Sequence, residues 1–498
     1  MKKPNFVIDN LGRNHYLEDE PLGQGGQGAV FRTKDPNLAV KLVIRDEEVL
    51  EDANYAKRYQ AALKQVMVLK FPDGVNLCQP VSYIEAPYSG YVMQLLRADH
   101  LCSLSKVLFA MDDLGPDGKK IGFHEAMRRY PLDKRIQILV ELARTLSLLH
   151  SRGFVYCDLS PNNVLIDSRP EEFSKTWLID CDNVRPSYRV LSRIYTEPYG
   201  APEVISGASN NSVYSDIFSF AVIAFMMLTG VKPIFVDQQT DDEDDWDATV
   251  NSNHEESMER RYYYLLDEGD ANIRKQLQSR LDSTATKELQ ALFERTFIQG
   301  LMNPNERPLM NEWFAVLSRA YGVVVPCPVC GCKHLHKAAC CVCGEETKDI
   351  VLSDAASITK AEGLSSSDCK KLAQAMAEDA EMKEILEKLS SNQPIEKYLY
   401  NKSFHFGPRS FLIFPGRHVY NYEIDDDAIE KDPHEVFSCK KSDNGFLMID
   451  FSYGYRFNGK NASQASRFVL DDERGLLVEH VPTAEPTRHV IALKYRRG

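Results

Sequence analysis

The spacing of apolar positions changes several times along the chain. Residues 12–110 alternate short apolar runs with turns and hold one helical stretch, about 46–70, the pattern of a small sheet-rich lobe. Residues 125–230 carry longer stretches at helical spacing, notably Leu132–His150 and Asp216–Leu228, and that spacing returns at 284–320. Residues 353–391 are polar with two helical stretches; the second, Ser367–Leu389, is rich in Ala, Glu and Lys and reads as a linker. From about 394 the texture becomes short β-type runs separated by turns: Ser410–Phe414, His418–Tyr422, Phe446–Phe451, Arg467–Leu470, Leu476–His480 and His489–Tyr495. These predict a separate all-β domain, a sandwich or small barrel. There is no internal repeat.

Composition narrows the function classes. The chain has 498 residues, 43% hydrophobic and 26% charged, enough for roughly three domains. A net charge of −13 argues against a chain-wide surface for nucleic acid or anionic membrane. No apolar run approaches the ~18 residues needed to span a bilayer; the longest, Phe218 to Thr229, has the length of a core helix. Met1-Lys2-Lys3-Pro4-Asn5 has basic residues with no apolar core behind them, so it does not read as a signal peptide. The acidic cluster Asp241–Asp245, within 237–256, reads as a solvated insertion and not as a substrate-attracting surface. Five of the 12 cysteines lie between 327 and 341, with Cys343 just after, which points to metal binding in a reducing, cytoplasmic compartment.

Eight short motifs follow one another between residues 23 and 308. Gly23-Gln24-Gly25-Gly26-Gln27-Gly28-Ala29-Val30 has the form G-x-G-x-x-G-x-V. Its glycines let a hairpin lie close over phosphates. Two strand-like segments follow it in place of a helix, which separates it from a dinucleotide-binding turn. The second of these, Leu38-Ala39-Val40-Lys41-Leu42, places Lys41 thirteen residues after Gly28. Then come Gly90-Tyr91-Val92-Met93-Gln94-Leu95-Leu96, Tyr156-Cys157-Asp158-Leu159-Ser160-Pro161-Asn162-Asn163, Trp177-Leu178-Ile179-Asp180-Cys181-Asp182, Tyr195-Thr196-Glu197-Pro198-Tyr199-Gly200-Ala201-Pro202-Glu203, Ser215-Asp216-Ile217-Phe218-Ser219-Phe220, and Asn303-Pro304-Asn305-Glu306-Arg307-Pro308.

In this order, residues 12–320 resemble the eukaryotic-like Ser/Thr protein kinases, particularly the divergent bacterial ones. The resemblance implies an α+β, bilobal kinase fold over 12–322, with an N-lobe at 12–96 and a C-lobe at 97–322. It implies that Gly23, Gly25, Gly28, Val30, Ala39, Lys41, Met93, Gln94 and Leu96 bind ATP. Asp158 would receive the substrate hydroxyl proton, while Asn163 and Asp180 would hold Mg²⁺, with Asp182 as a fallback ligand. Thr196 would contact Asp158, and Glu203 would form a buried structural pair with Arg307.

Several positions depart from that family's pattern. Tyr156, Cys157 and Ser160 stand where His, Arg and often Lys are found. No Glu occurs from 52 through 84, so the usual partner of Lys41 is missing. Either Glu47, Glu48 or Glu51 is reached by a displaced helix, or Gln60 makes an uncharged contact. The main expectation is ATP-dependent transfer to Ser or Thr of protein substrates. Alternatives are a nucleotide-binding pseudokinase scaffold, or a small-molecule kinase with a similar Asp-Leu-x-x-x-Asn loop.

Cys327-x-x-Cys330 and Cys340-x-x-Cys343, nine residues apart and each followed by Gly, have the spacing of a tetrahedral zinc ribbon, expected over 325–347. Cys341 could replace Cys340 as a ligand. A helical linker at 348–393 and the all-β domain at 394–498 complete the expected organisation. The ribbon and β-domain are expected to bind a regulatory protein partner, and neither nucleic acid nor membrane is an expected partner.

Overall fold

The computed structural model describes residues 2–237 and 261–345 except for a few loop positions (26–27, 97–99, 116–117, 168, 170–174, 265, 267–270 and 337), then 351–359, 405–413, 416–424 and separate stretches between 429 and 496. The acidic run Asp241–Asp245 and the helical stretch Ser367–Leu389 lie outside the described residues. The chain divides into two compact units: residues 1–120, 142–270 and 293–310, and residues 121–141, 271–292 and 311–498.

The first unit begins with an antiparallel sheet in the order β1 (Phe6–Ile8), β2 (Asn14–Gln24), β3 (Gly28–Thr33), β4 (Leu38–Arg45), β7 (Gly90–Gln94), β6 (Pro80–Tyr83). The short β5 (Glu48–Val49) pairs with β4. Strand β4 is apolar almost throughout because both its faces are covered. Val40 and Leu42 join Val7, Phe31 and Val92 on one side, and Ala39 joins Leu63, Tyr91 and Met93 on the other. The helix α1 (Ala53–Met67) supplies Leu63. It is shorter than the expected 46–70. Asp46 and Glu47 both take positive φ in a two-residue turn between β4 and β5, as primed hairpin turns require. Asp52 then caps the helix, its carboxylate accepting the N–H of Asn54 and Tyr55 at 2.8 and 3.0 Å.

The helical part of this unit is built on α4 (Val213–Thr229), numbered after α2 (Gly122–Arg129) and α3 (Leu132–Ser151). Ser212 and Ser215 close a reciprocal capping box at its start, and Gly230 ends it in the left-handed conformation. From Ser215 to Thr229 every residue is buried, which accounts for apolar character on all sides of the helix.

The second unit contains α2, the start of α3, α5 (Ala271–Thr284), α6 (Lys287–Glu294, to Leu292), and α7 (Met310–Gly322, from Asn311). Two short strands, Val324–Pro326 and Lys333–Leu335, form the hairpin that carries the first Cys pair. Beyond it stand a six-stranded and a four-stranded antiparallel sheet.

Two expectations change here. Residues 348–393 do not form a helical linker throughout, because Val351–Thr359 is a strand paired with both His405–Ile413 and His489–Arg496. Pairing on both edges outweighs a weak local helical pattern, so the β region starts well before 394. Nor is that region detached from the helices. Tyr321 of α7 packs on Tyr420 and Tyr422, and Phe314 on Tyr422. A buried Arg417–Glu423 pair completes this contact, with the guanidinium 4.6 Å from the Tyr321 ring centre.

Candidate active site and metal centre

Lys41 lies on β4 between Val30 of β3 and Tyr91 of β7 in the ladder. A Cβ on Gly28 would sit 2.9 Å from Lys41 Cε and 3.2 Å from Leu42 O, so a side chain there would crowd the lysine beneath the glycine-rich hairpin. Gly25 N–H donates to Gly28 O at 2.9 Å, which folds the hairpin onto itself. Val30, Leu95, Leu96 and Ile179 pack against the cluster that holds Ala39 and Met93, so four residues expected to bind ATP, Val30, Ala39, Met93 and Leu96, share one cluster. Gln94 is exposed at the end of β7, and the N–H of Leu95 is committed to Asn37 O at 2.7 Å.

Lys41 Nζ reaches Asp180 Oδ1 at 2.8 Å and Asp182 Oδ1 at 3.4 Å. Burial alone would pull its pKa down, but the charges of Asp182 and Asp180 outweigh it and raise the value, so the ammonium is stably charged. The Tyr91 ring lies 5.7 Å from the same nitrogen. The missing-glutamate question is thereby answered in a way neither alternative foresaw. Gln60 turns aside to donate to Ile84 O at 2.9 Å. Among the described residues no ion pair joins Lys41 to Glu47, Glu48 or Glu51. The helix residue that faces the site is Tyr59, whose hydroxyl donates to Asp182 Oδ2 at 2.8 Å.

Asp158 follows a strained residue. Cys157 has φ +76°, and neighbouring side chains hold its backbone there. Asp216, at the start of α4, accepts the N–H of Tyr156 at 2.7 Å and of Cys157 at 3.0 Å, while Asn211 Nδ2 donates to Cys157 O at 3.0 Å. Tyr156, in the place of the usual His, is fully buried and donates its hydroxyl to Ile179 O, tying the loop to the strand before Asp180. Asp158 Oδ1 accepts Thr196 Oγ1 at 2.8 Å. Asn163 Nδ2 donates to Asp158 O at 2.9 Å. That spends the amide nitrogen, and the amide oxygen is the donor atom it can offer a cation. Burial pushes the Asp158 pKa up, Thr196 and Asn163 pull against that, and the Asp180 charge adds to the rise. Asp180, in the left-handed conformation at φ 59° and 32% exposed in its side chain, presents the more open carboxylate; that of Asp182 is 15% exposed. Oxygen donors from Asn163 and Asp180 suit a hard divalent cation such as Mg²⁺.

The order of these elements along the chain matches a known pattern: the protein kinase domain family model aligns with residues 16–315. The chain belongs to the protein kinase family. Among its relatives, the RasGEF domain-containing serine/threonine-protein kinase X of Dictyostelium discoideum is 27% identical over 223 residues, covering 43% of this chain and 20% of that protein. Serine/threonine-protein kinase pkn2 of Myxococcus xanthus is 24% identical over 238 residues, 46% of this chain and 25% of its own. The probable serine/threonine-protein kinase CST of Arabidopsis thaliana is 25% identical over 335 residues, 66% of this chain and 73% of its own. This kinase thus spans a fifth to a quarter of the first two relatives. Its Arg307 makes the expected bidentate pair with Glu203, at 2.7 and 2.8 Å.

The second unit holds a separate cluster. The sulfurs of Cys327, Cys330, Cys340 and Cys343 all lie within 4.8 Å of one another, and it is Cys340, not Cys341, that joins them. Gly331 and Gly344 follow the two Cys pairs at φ +74° and +77°, and their N–H groups return to Cys327 O and Cys340 O at 2.9 and 2.8 Å. Burial opposes ionisation of the Cys327 thiol, but the N–H groups of Cys330 and Val329 and the neighbouring thiols bring it to about 7. Four thiols converging through tight turns fit a closed tetrahedral Zn²⁺ site. Among the described residues no helix is long and apolar enough to cross a membrane.

Tyr59, Asn211 and Asp182 as a lysine partner were missed from sequence. For Tyr59 a signal existed: it lies eighteen residues beyond Lys41, one before Gln60, on the helix expected to face the lysine.

Proposed function

We propose that this kinase transfers the γ-phosphoryl group of ATP to serine or threonine hydroxyls of protein substrates. The observation that carries this reading is the hydrogen bond from Thr196 to Asp158 at 2.8 Å, in a loop pinned by Asp216. Thr196 sits five residues before the Ala-Pro-Glu that closes the segment. It orients one carboxylate oxygen of Asp158, whose raised pKa makes it a better proton acceptor than an ordinary aspartate. Lys41 stands under the glycine-rich hairpin, where a charged ammonium would meet the phosphates of ATP. Val30, Ala39, Met93 and Leu96 would hold the base. Mg²⁺ held by Asp180 and Asn163 would neutralise charge on the phosphates. The loop carries no cation of its own at Ser160, which is buried, so Lys41 and the metal would supply the positive charge.

We read the four-Cys centre as structural zinc, and residues 325–498 as the surface for a regulatory protein partner. Free thiols at such a centre suit a reducing compartment, which supports a cytoplasmic location. The test is incubation of the purified protein with Mg²⁺ and γ-labelled ATP and matched peptides whose acceptor is Ser, Thr or Tyr. Label on Ser and Thr peptides, absent in Asp158→Asn, supports the reading; label on Tyr alone, or on no protein acceptor while a small alcohol is labelled, refutes it.

A further inference from the structure

Two carboxylates share one buried ammonium in this site, and their surroundings differ. Asp180 meets Lys41 at 2.8 Å, is the more exposed of the two, and is the residue read above as a cation ligand. Asp182 stands slightly farther from the lysine, at 3.4 Å, and its other oxygen is closed by the Tyr59 hydroxyl at 2.8 Å. Tyr59 is on α1, its ring stacked 6.3 Å from that of Tyr55 one turn earlier. A carboxylate drawn to a divalent cation gives up much of its hold on a neighbouring ammonium. A lysine as buried as Lys41 would then lose one of the two contacts that place its ammonium. A second carboxylate fixed from behind by a neutral hydroxyl removes that difficulty. The tyrosine can only donate to Asp182, so it holds the carboxylate without competing for its charge.

We propose that Asp182 is a positioning residue that would hold Lys41 in place when Asp180 is engaged by a cation, and that Tyr59 is the relay by which helix α1 holds Asp182. The division of labour follows from the contacts: Asp180 for the metal, Asp182 for the lysine. This rests on the reading of Lys41 as the phosphate-binding lysine.

The experiment compares Asp182→Asn, Asp182→Glu, Tyr59→Phe and the double variant Asp182→Asn/Tyr59→Phe, in the full chain. Steady-state kinetics are paired with calorimetric binding of Mg²⁺–ATP. Asp182→Asn is expected to lower kcat/KM for ATP by at least tenfold, to weaken Mg²⁺–ATP binding, and to leave KM for the peptide within twofold. A purely structural defect would move both KM values together with the melting temperature. Asp182→Glu, which keeps the charge, should recover most of the loss. Tyr59→Phe, nearly isosteric and expected to fold, should lower kcat/KM for ATP about fivefold in the wild-type background and less than twofold beside Asp182→Asn, because a relay has no effect once its target is gone. The proposal is overturned if Asp182→Asn retains wild-type ATP binding and turnover, or if the two losses multiply. Asp158→Asn serves as the control. If it retains transfer, the reading of the whole site fails, while the binding data still judge the role of Asp182 on their own.

Discussion

Two ion pairs of the first unit, Glu203–Arg307 and the Lys41 cluster, look alike in sequence but differ in construction. Arg307 is fully buried and every contact is directed inward. It makes two bonds to Glu203, one to Tyr214 O and one to Gly300 O, both at 2.9 Å, with its guanidinium 4.9 Å from the Phe218 ring centre. Such a pair is sealed and leaves little for a ligand to do. Lys41 instead holds two carboxylates at unequal distances beneath a glycine hairpin, and one of them is a third exposed. The satisfied cation supports the fold, and the shared one is arranged for exchange. Burial is common to both; what separates them is whether the charged groups leave an open face.

The largest expected effect falls on the open site. Asp158→Asn should reduce phosphoryl transfer by about 10²–10⁴-fold, the usual contribution of a positioned proton acceptor. It should not weaken the fold. The Asp158 pKa is raised above its ordinary 3.8, first by burial. A raised carboxyl contributes its full stability below the unfolded value and loses it as pH climbs through the folded value. Asn mimics the neutral form, so thermal melts at pH 7 should find the variant at least as stable as wild type, with any advantage shrinking toward pH 4. A clear loss of stability at pH 7 would place Asp158 with the sealed pair.

The next effect belongs to that pair. Arg307→Met leaves Glu203 largely buried without a partner, a change that typically costs about 3–5 kcal/mol. Urea unfolding should register it. Lys41→Met should show the opposite profile, with at least tenfold weaker Mg²⁺–ATP binding and a much smaller change in stability. If both variants lose stability equally, the contrast between the two sites is wrong.

In the second unit, metal analysis should find about one Zn²⁺ per chain, and Cys327→Ser should lose it. Because formation of such a site is coupled to local folding, limited proteolysis near 327–344 should accelerate in that variant. Cys341→Ser should retain the metal, since its thiol is not in the four-sulfur cluster.

The smallest effect concerns regulation. Burial holds the Cys157 thiol neutral, so the position before Asp158 offers no charge to a phosphate on Ser187, Tyr188, Ser192 or Thr196. Phosphatase treatment should therefore change the initial rate on an added peptide by less than tenfold. A larger drop, reversed by autophosphorylation, would mean that Arg185, Arg189 or Arg193 takes that part.

The kinase elements were legible in sequence because each is a short local motif with a backbone or charge requirement: Gly28 over a lysine, Asp158 five residues before Asn163, Cys pairs ending in Gly. The Glu203–Arg307 pair was legible for the same reason, despite a separation of 104 positions. What was not legible depends on side chains meeting across the fold. Tyr59 and Asp182 are 123 positions apart, and neither residue type announces the other. The strand Val351–Thr359 was read as part of a polar helical stretch because the two strands that pair with it begin at 405 and 489. The turn at Asp46–Glu47, with no glycine to mark it, concealed the true start of α1.

The most direct test of the open site is one preparation assayed two ways: Mg²⁺–ATP binding by calorimetry, and transfer of labelled γ-phosphate to a Ser/Thr peptide, for wild type and Asp158→Asn side by side. Both proteins should bind the nucleotide with affinities within a few-fold, and only the wild type should label the peptide. Equal labelling by the two, or nucleotide binding with no transfer by the wild type to any protein acceptor, would contradict the assignment of this site to phosphoryl transfer.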